Sequence, residues 1–295
     1  TYAPRPSAAT ASALPSASAW QSERIWMAHF ALTDVATGQH LAFERFSREN
    51  PGLAGARSEP GFRLWLEDWQ VTGAVAAGTA PLAQPSPDQP WLLSVAEDSL
   101  RLQLALYAAK PPVLHGEQGL SRKSVRAGNA SWYYSLTRMP ASGELQIGDE
   151  LYQVTGDAWL DREWSTSALD DEQQGWDWFS LQFDDGSEVM YYRLRDAQGQ
   201  THPFSAGSVV AVDGGRTALQ ATDAELQELA SWTASNGVAY GTRWRLQVAG
   251  RDLLISAVLP EQWMALSLPY WEGAVDIRDH DSGEILGHGY LEMVR

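Results

Sequence analysis

Gly156-Asp157-Ala158-Trp159-Leu160-Asp161-Arg162-Glu163-Trp164, followed by Gly175-Trp176-Asp177-Trp178-Phe179, is the stretch on which the reading of this chain turns. Side chains of extended backbone alternate sides, so Asp157, Trp159, Asp161 and Glu163 share one face. Ala158, Leu160, Arg162 and Trp164 share the other. An acidic face that also carries an indole is costly to bury, and a plain surface strand has no need of it. It is either a salt-bridged structural corner, with Arg162, Arg193 or Arg195 as partners, or the wall of a pocket with a polar floor.

Working outward, the same period of two recurs with turn signals between. Leu100, Leu102, Leu104 and Leu106 alternate with Arg101, Gln103 and Ala105, a half-buried strand. Residues 25–35 and 41–46 flank a Thr37-Gly38 turn, and 62–71 reads as one strand. Asp184-Asp185-Gly186-Ser187 and Asp213-Gly214-Gly215-Arg216 suit tight hairpins that need positive φ. The segment 243–248 alternates strictly, turns at Gly250 and returns through 253–259, and 275–278 and 285–294 close around Asp281-Ser282-Gly283. Residues 72–90 read as a Gly/Ala/Pro-rich connection, and 110–129 as a long polar loop that is a lid or mobile. In that loop Lys123 and Arg126 could steer an anionic head group, but solvated charges are the expectation. Residues 223–232 fit a helix through Leu226, Leu229 and Ala230 with Asp223 as cap, yet also fit a strand. The whole predicts an all-β chain of antiparallel sandwiches or barrels.

Composition narrows the function classes. A net charge of −16 excludes the basic footprint of nucleic-acid binding and disfavours docking on anionic lipid by charge. No apolar run of about 18 residues is present to make a transmembrane helix. With no cysteine there is no thiolate nucleophile or Cys-ligated metal. The six histidines are scattered without an H-E-x-x-H pattern, so neither a metal nor another cofactor is expected. No G-x-S-x-G elbow or Gly-rich phosphate loop is present. The 14 tryptophans, 10 tyrosines and 7 phenylalanines suit barrel filling or an aromatic-lined cavity for an apolar ligand, and a pocket wall is also core.

Five motifs stand in order along the chain. They are Asn129-Ala130-Ser131-Trp132-Tyr133-Tyr134-Ser135, the Gly156 and Gly175 stretches quoted above, Tyr270-Trp271-Glu272-Gly273-Ala274-Val275, and Gly287-His288-Gly289-Tyr290-Leu291-Glu292. Together they resemble the AttH/carotenoid 1,2-hydratase-like group of lipocalin-like proteins. The resemblance implies two lipocalin-like antiparallel β-barrel or sandwich domains, 20–165 and 166–295, behind a flexible Ala/Ser-rich segment 1–19. It implies a ligand cavity between or within them, and a family opening segment (Pro-x-Asp-x-Gly-x-His-Pro, then Glu-Trp-Trp-Tyr) upstream of Thr1. It further implies a bacterial periplasmic or envelope setting, an apolar small-molecule partner such as a lipid or isoprenoid, and an ABC permease as a second partner.

Adding water to an isolated C=C bond needs a strong acid, a cation-stabilising aromatic wall and a placed water. Asp161 and Glu163 are the candidate catalytic acids. Trp159, Arg162, Trp164, Trp176, Trp178, Tyr133, Tyr191, Trp271 and Glu272 are the candidate ligand contacts. Tyr133 and Tyr134 lie on opposite faces, so only one of them can face a lumen. In the hydratases an Asp is followed by His-x-Trp, and the matching positions are Asp161, Arg162 and Trp164. Arginine cannot shuttle protons, and beside Asp161 or Glu163 it keeps those acids ionised. Binding of an apolar or amphipathic molecule is therefore the expected function, with a hydratase or isomerase acting on an isoprenoid or polyene as the alternative.

Overall fold

The computed structural model describes residues 24–58, 61–73, 85–86, 88–165 and 169–295. The segment 1–19 and most of the 72–90 connection lie outside the described residues. Among those described, every regular element is a β-strand apart from one 3₁₀ turn at Ala221–Asp223, and no helix is long and apolar enough to cross a membrane. The chain is thus all-β, with antiparallel pairing throughout the described strands.

The chain divides into two compact units, one built from the described parts of 1–30, 43–109 and 138–158, the other from 31–42, 110–137 and 159–295. Unit 1 rests on a meander in which Ala54–Arg57, Phe62–Leu66, Trp69–Gly73, Trp91–Glu97 and Leu100–Leu106 pair in sequence. The stretch 62–71 is two strands rather than one. Glu67 adopts φ 58°, a left-handed turn conformation that reverses the chain at Asp68. Phe62, Leu66, Trp69, Trp91, Val95 and Leu100 are buried, and the Phe62 and Trp91 rings stack at 5.1 Å.

Unit 2 carries a ten-stranded sheet. Nine strands run in the order Arg216–Gln220, Ala206–Val210, Glu188–Asp196, Gln173–Phe183, Ile285–Val294, Tyr270–Asp279, Arg251–Ala257, Ala239–Val248, Ala224–Thr233, and the short tenth, Trp263–Met264, pairs with Tyr270–Asp279. Alternation sorts each strand cleanly. Phe179, Leu181, Phe183, Val189, Tyr191, Trp244, Leu246, Trp271, Val275, Leu291 and Met293 fill one face as a continuous core. At about 25 cal/mol per Å² of apolar area removed from water, that face is the main stabilising element of the unit. Intervening residues take the opposite face: Trp176, Trp178, Tyr192, Glu272, Tyr290 and Glu292.

One ambiguity is settled and one expectation is corrected. Residues 224–233 form a strand, because pairing with Ala239–Val248 supplies backbone partners all along it, while Leu229 is left exposed. Asp223 caps no helix: it ends the preceding 3₁₀ turn, its Oδ2 accepting from Gln220 N at 2.7 Å. Residues 110–129 are not a free lid. Val113–Leu114 and Leu120–Arg122 pair with the Ala130–Ile147 strand, and Lys110, His115, Ser121, Lys123, Ser124 and Asn129 are buried. Lys110 Nζ lies 2.8 and 2.7 Å from the two carboxylate oxygens of the fully buried Glu188, which anchors one end of the segment.

Candidate functional site

The alternation read from Gly156–Trp164 has a partner in 131–135. Ser131, Tyr133 and Ser135 are buried on one side of the Ala130–Ile147 strand, whereas Trp132 is 58% exposed on the other. That strand neighbours Glu150–Ser165, and the two acidic residues of the latter face the three hydroxyls. Tyr133 Oη donates to Asp161 Oδ2 at 2.6 Å, and Ser135 Oγ donates to Asp161 Oδ1. Trp159 Nε1 donates to the same Oδ1 at 2.7 Å. One position along, Ser131 Oγ donates to Glu163 Oε1, which also sits 3.0 Å from Lys123 Nζ.

The tryptophans of the ten-stranded sheet complete the wall. Trp178 Nε1 donates to Tyr133 Oη at 2.9 Å, and the Trp159 and Trp178 rings meet edge to face at 6.3 Å. Register places Trp178 opposite both Tyr192 and Glu292, and Glu292 opposite Glu272. Trp176 Nε1 donates to Glu292 Oε1 at 2.7 Å. Lys123 lies over the Tyr192 ring at 4.0 Å, so the loop cation expected to be solvated is buried and paired. Burial works against its charge, yet Tyr192 and Glu163 hold its pKa above the ordinary lysine value.

The acids of this cluster are not ordinary carboxylates. Burial pushes Asp161 up to about 6, against the pull of its three donors, and Glu163 adds to the rise. Burial followed by the field of Glu272 takes Glu292 up to about 7. Glu272 is raised by burial as well. Tyr133 is driven well above the usual phenol range by burial and by Asp161. Two carboxyls that titrate near neutrality beside indole faces can exchange protons with a bound molecule.

The proposed ligand contacts divide into groups. Trp159, Tyr133, Trp176, Trp178, Glu272 and Asp161 come together, with Glu163 at the rim. Tyr191 and Trp271 lie on the opposite face, both fully buried in the core. Trp271 Nε1 donates to Pro260 O at 2.8 Å, and burial drives Tyr191 up to about 12. Arg162 points away from Asp161 and lies 5.8 Å over the Trp164 ring, on the outward face with Tyr134. It is not among the groups that shift Asp161. Arg193 and Arg195 are also engaged elsewhere, on Asp177.

Sequence reasoning did not nominate Glu292, Ser135, Ser131 or His115. Ser131 and Ser135 stand inside a quoted motif in phase with Tyr133, which was the available signal, and Glu292 stands inside another whose register to Glu272 the residues do not give. His115 had none, because the segment around it lacks a period. A groove of about 240 Å³ lined by residues that include Ser124, Arg126, Asp170, His202 and Phe204 contains none of the four clustered carboxyls. No group of three His, Asp or Glu positioned for a metal occurs among the described residues.

The strand arrangement defines a lipocalin-like protein of two units, and the second unit carries an acid cluster against an aromatic wall. The chain belongs to the AttH-like family, whose profile matches residues 3–294. Among solved structures it is similar to an AttH protein from Nitrosomonas europaea, with 28% identity and a TM-score of 0.80 over 94% of this chain and 82% of that one. It shares its fold with kievitone hydratase from Nectria haematococca, at 16% identity and a TM-score of 0.66 over 91% and 79% of the two chains. No curated protein sequence matches it.

Proposed function

We propose that the acid cluster of unit 2 carries out proton-transfer chemistry on an apolar, unsaturated small molecule, adding water across a C=C bond or rearranging it. The observation that carries this reading is Asp161, a part-buried carboxyl poised at about 6 whose three hydrogen-bond donors are all neutral. In its protonated form Asp161 transfers the carboxyl proton to one alkene carbon. The positive charge that develops on the other carbon is stabilised by the faces of Trp159 and Trp178. A water then forms the new C–O bond and loses a proton to Glu292, whose raised pKa suits it as the acceptor. Exchange of that proton with solvent restores both acids. In the binding-only reading the same wall holds the ligand without turnover.

Incubation of the full chain with an acyclic isoprenoid polyene in ¹⁸O-labelled water separates the two. Incorporation of labelled oxygen that is lost in Asp161→Asn and in Glu292→Gln, with both variants folded, supports catalysis. Native mass spectrometry that retains the polyene while no label enters the product supports binding alone. Undiminished labelling by Asp161→Asn ends the proton-donor assignment.

A further inference from the structure

Behind Asp161 runs a buried hydrogen-bond chain that the chemistry above does not use. Arg216 Nε donates to Ser208 Oγ at 2.9 Å. Ser208 Oγ is 3.0 Å from His115 Nδ1, and His115 Nε2 is 2.7 Å from Ser135 Oγ. Ser135 Oγ then meets Asp161 Oδ1. Ser135 and Ser208 are fully buried and His115 is 1% exposed.

The two ends of this chain decide its direction. A guanidinium can only donate and a carboxylate can only accept. Ser208 receives from Arg216 and, facing a neutral ring, donates its hydroxyl hydrogen to Nδ1. His115 accepts at Nδ1 and donates from Nε2, and Ser135, receiving that bond, turns its hydroxyl hydrogen to Asp161. With Ser135 donating to Asp161, Nε2 must carry a proton, and a neutral ring then leaves Nδ1 as the acceptor. Burial, with Arg216 and Lys123 nearby, lowers His115 to about 3, in keeping with a neutral ring. Because arginine does not release its proton near neutrality, no proton can enter from that end. The chain holds a proton in place rather than conducting one.

Its anchoring is built into the backbone. Gly116 O accepts from Arg216 Nη2 at 3.0 Å, and Gly116 has φ 66° with a hypothetical Cβ only 2.2 Å from Leu120 O. Only glycine fits there. His115 N donates to Tyr133 O at 3.0 Å, which ties the imidazole to the strand that carries Ser135, and the His115 and Tyr133 rings lie 4.3 Å apart.

We propose that His115, backed by Ser208 and Arg216, is a positioning residue that locks Ser135 as a permanent hydrogen-bond donor to Asp161. It rests on the reading of Asp161 as the working acid. Without the lock Ser135 is free to rotate or to accept, and Asp161 loses a bond that favours its ionised form. The charged and titratable groups facing Asp161 and His115 are Tyr133, Glu163, Glu292, Lys123 and Arg216. None of them is altered by the substitutions that follow.

The test is nuclear magnetic resonance on the full chain labelled with ¹⁵N-histidine and ¹³C-carboxyl aspartate, the Asp161 signal being assigned by its loss in Asp161→Asn. His115 is expected to be neutral with its proton on Nε2 at pH 6; a proton on Nδ1 or an imidazolium overturns the proposal. In His115→Phe the Asp161 titration moves up by about one pH unit. Ser135→Ala produces the same shift, and the double variant adds nothing further. His115→Gln, whose amide accepts on one side and donates on the other, restores the wild-type titration. An unmoved titration in folded His115→Phe, or a shift additive with Ser135→Ala, overturns the proposal. If His115→Phe does not fold, the tautomer and His115→Gln decide, since a glutamine variant titrating like Ser135→Ala is fatal. An Asp161 that titrates in the ordinary carboxylate range in wild type, with the Nε2–H tautomer present, sinks the working-acid reading and leaves the lock standing.

Discussion

Asp177 and Asp161 are carboxylates of one unit that end in opposite electrostatic states. Asp177 sits on the core side of Gln173–Phe183, fully buried, and receives Arg193 at 2.8 and 2.6 Å and Arg195 at 2.7 Å, with Arg295 as a third guanidinium. Burial alone would raise its pKa, but the three cations outweigh that and hold it below the ordinary aspartate value. Asp161 also has three donors, a tyrosine, a serine and an indole, none of them charged. There burial wins, and the group rises to about 6. Whether the donors carry charge, more than depth, separates a structural acid from a reactive one.

The largest effect that would break this contrast is at Asp177. Asp177→Ala leaves three part-buried guanidiniums without their acceptor and is expected to lower unfolding free energy by about 3–5 kcal/mol, read from the urea midpoint. A change under about 1 kcal/mol would mean that water satisfies those arginines and that the site is not structural.

Glu292→Gln goes the other way. A group whose pKa is higher folded than unfolded binds its proton more tightly in the folded state, so stability falls as pH rises between the two values. For Glu292 that window runs from 4.5 to about 7. The variant should thus be more stable than wild type at pH 8, by about 1–2 kcal/mol after allowing for partial solvent access. The difference should vanish near pH 4. Thermal melts at the two pH values check it, and destabilisation at pH 8 would contradict a raised Glu292.

Smaller again is Trp178→Phe, which removes the indole donor to Tyr133 Oη while keeping an aromatic wall. It should cost about 1 kcal/mol in chemical denaturation, and Asp161 should keep its near-neutral titration because its own three donors remain. A collapse of that titration would shift the credit from Asp161's donors to the packing around them.

Much of this arrangement was legible in the residues. Hairpin turns at Gly38, Gly186, Gly214 and Gly283 stand where Gly-containing pairs announced them, each with positive φ. Alternation within 131–135 set Tyr133 apart from Tyr134, and within 157–164 it set Asp161 apart from Arg162 and Trp164. At 62–71 the pattern ran through a reversal, because the turn is made by Glu67, a residue type that gives no such signal. At 224–233 the apolar spacing fitted two periods, and pairing with a strand that follows in sequence chose between them.

Taken by itself, the sequence determined the all-β class, the family motifs and the facing of each side chain within its own strand, because a pleated backbone imposes its alternation locally. Only tertiary structure decided which faces meet. Strand register, set over long separations, put Glu292 beside Trp178 and Glu272, and a buried return of 110–129 brought Lys123 to Glu163 and His115 to Ser135. The protonation of Asp161 belongs to that second class. A carboxyl's pKa follows from the water it loses and the charges it meets, and both are properties of the assembled fold.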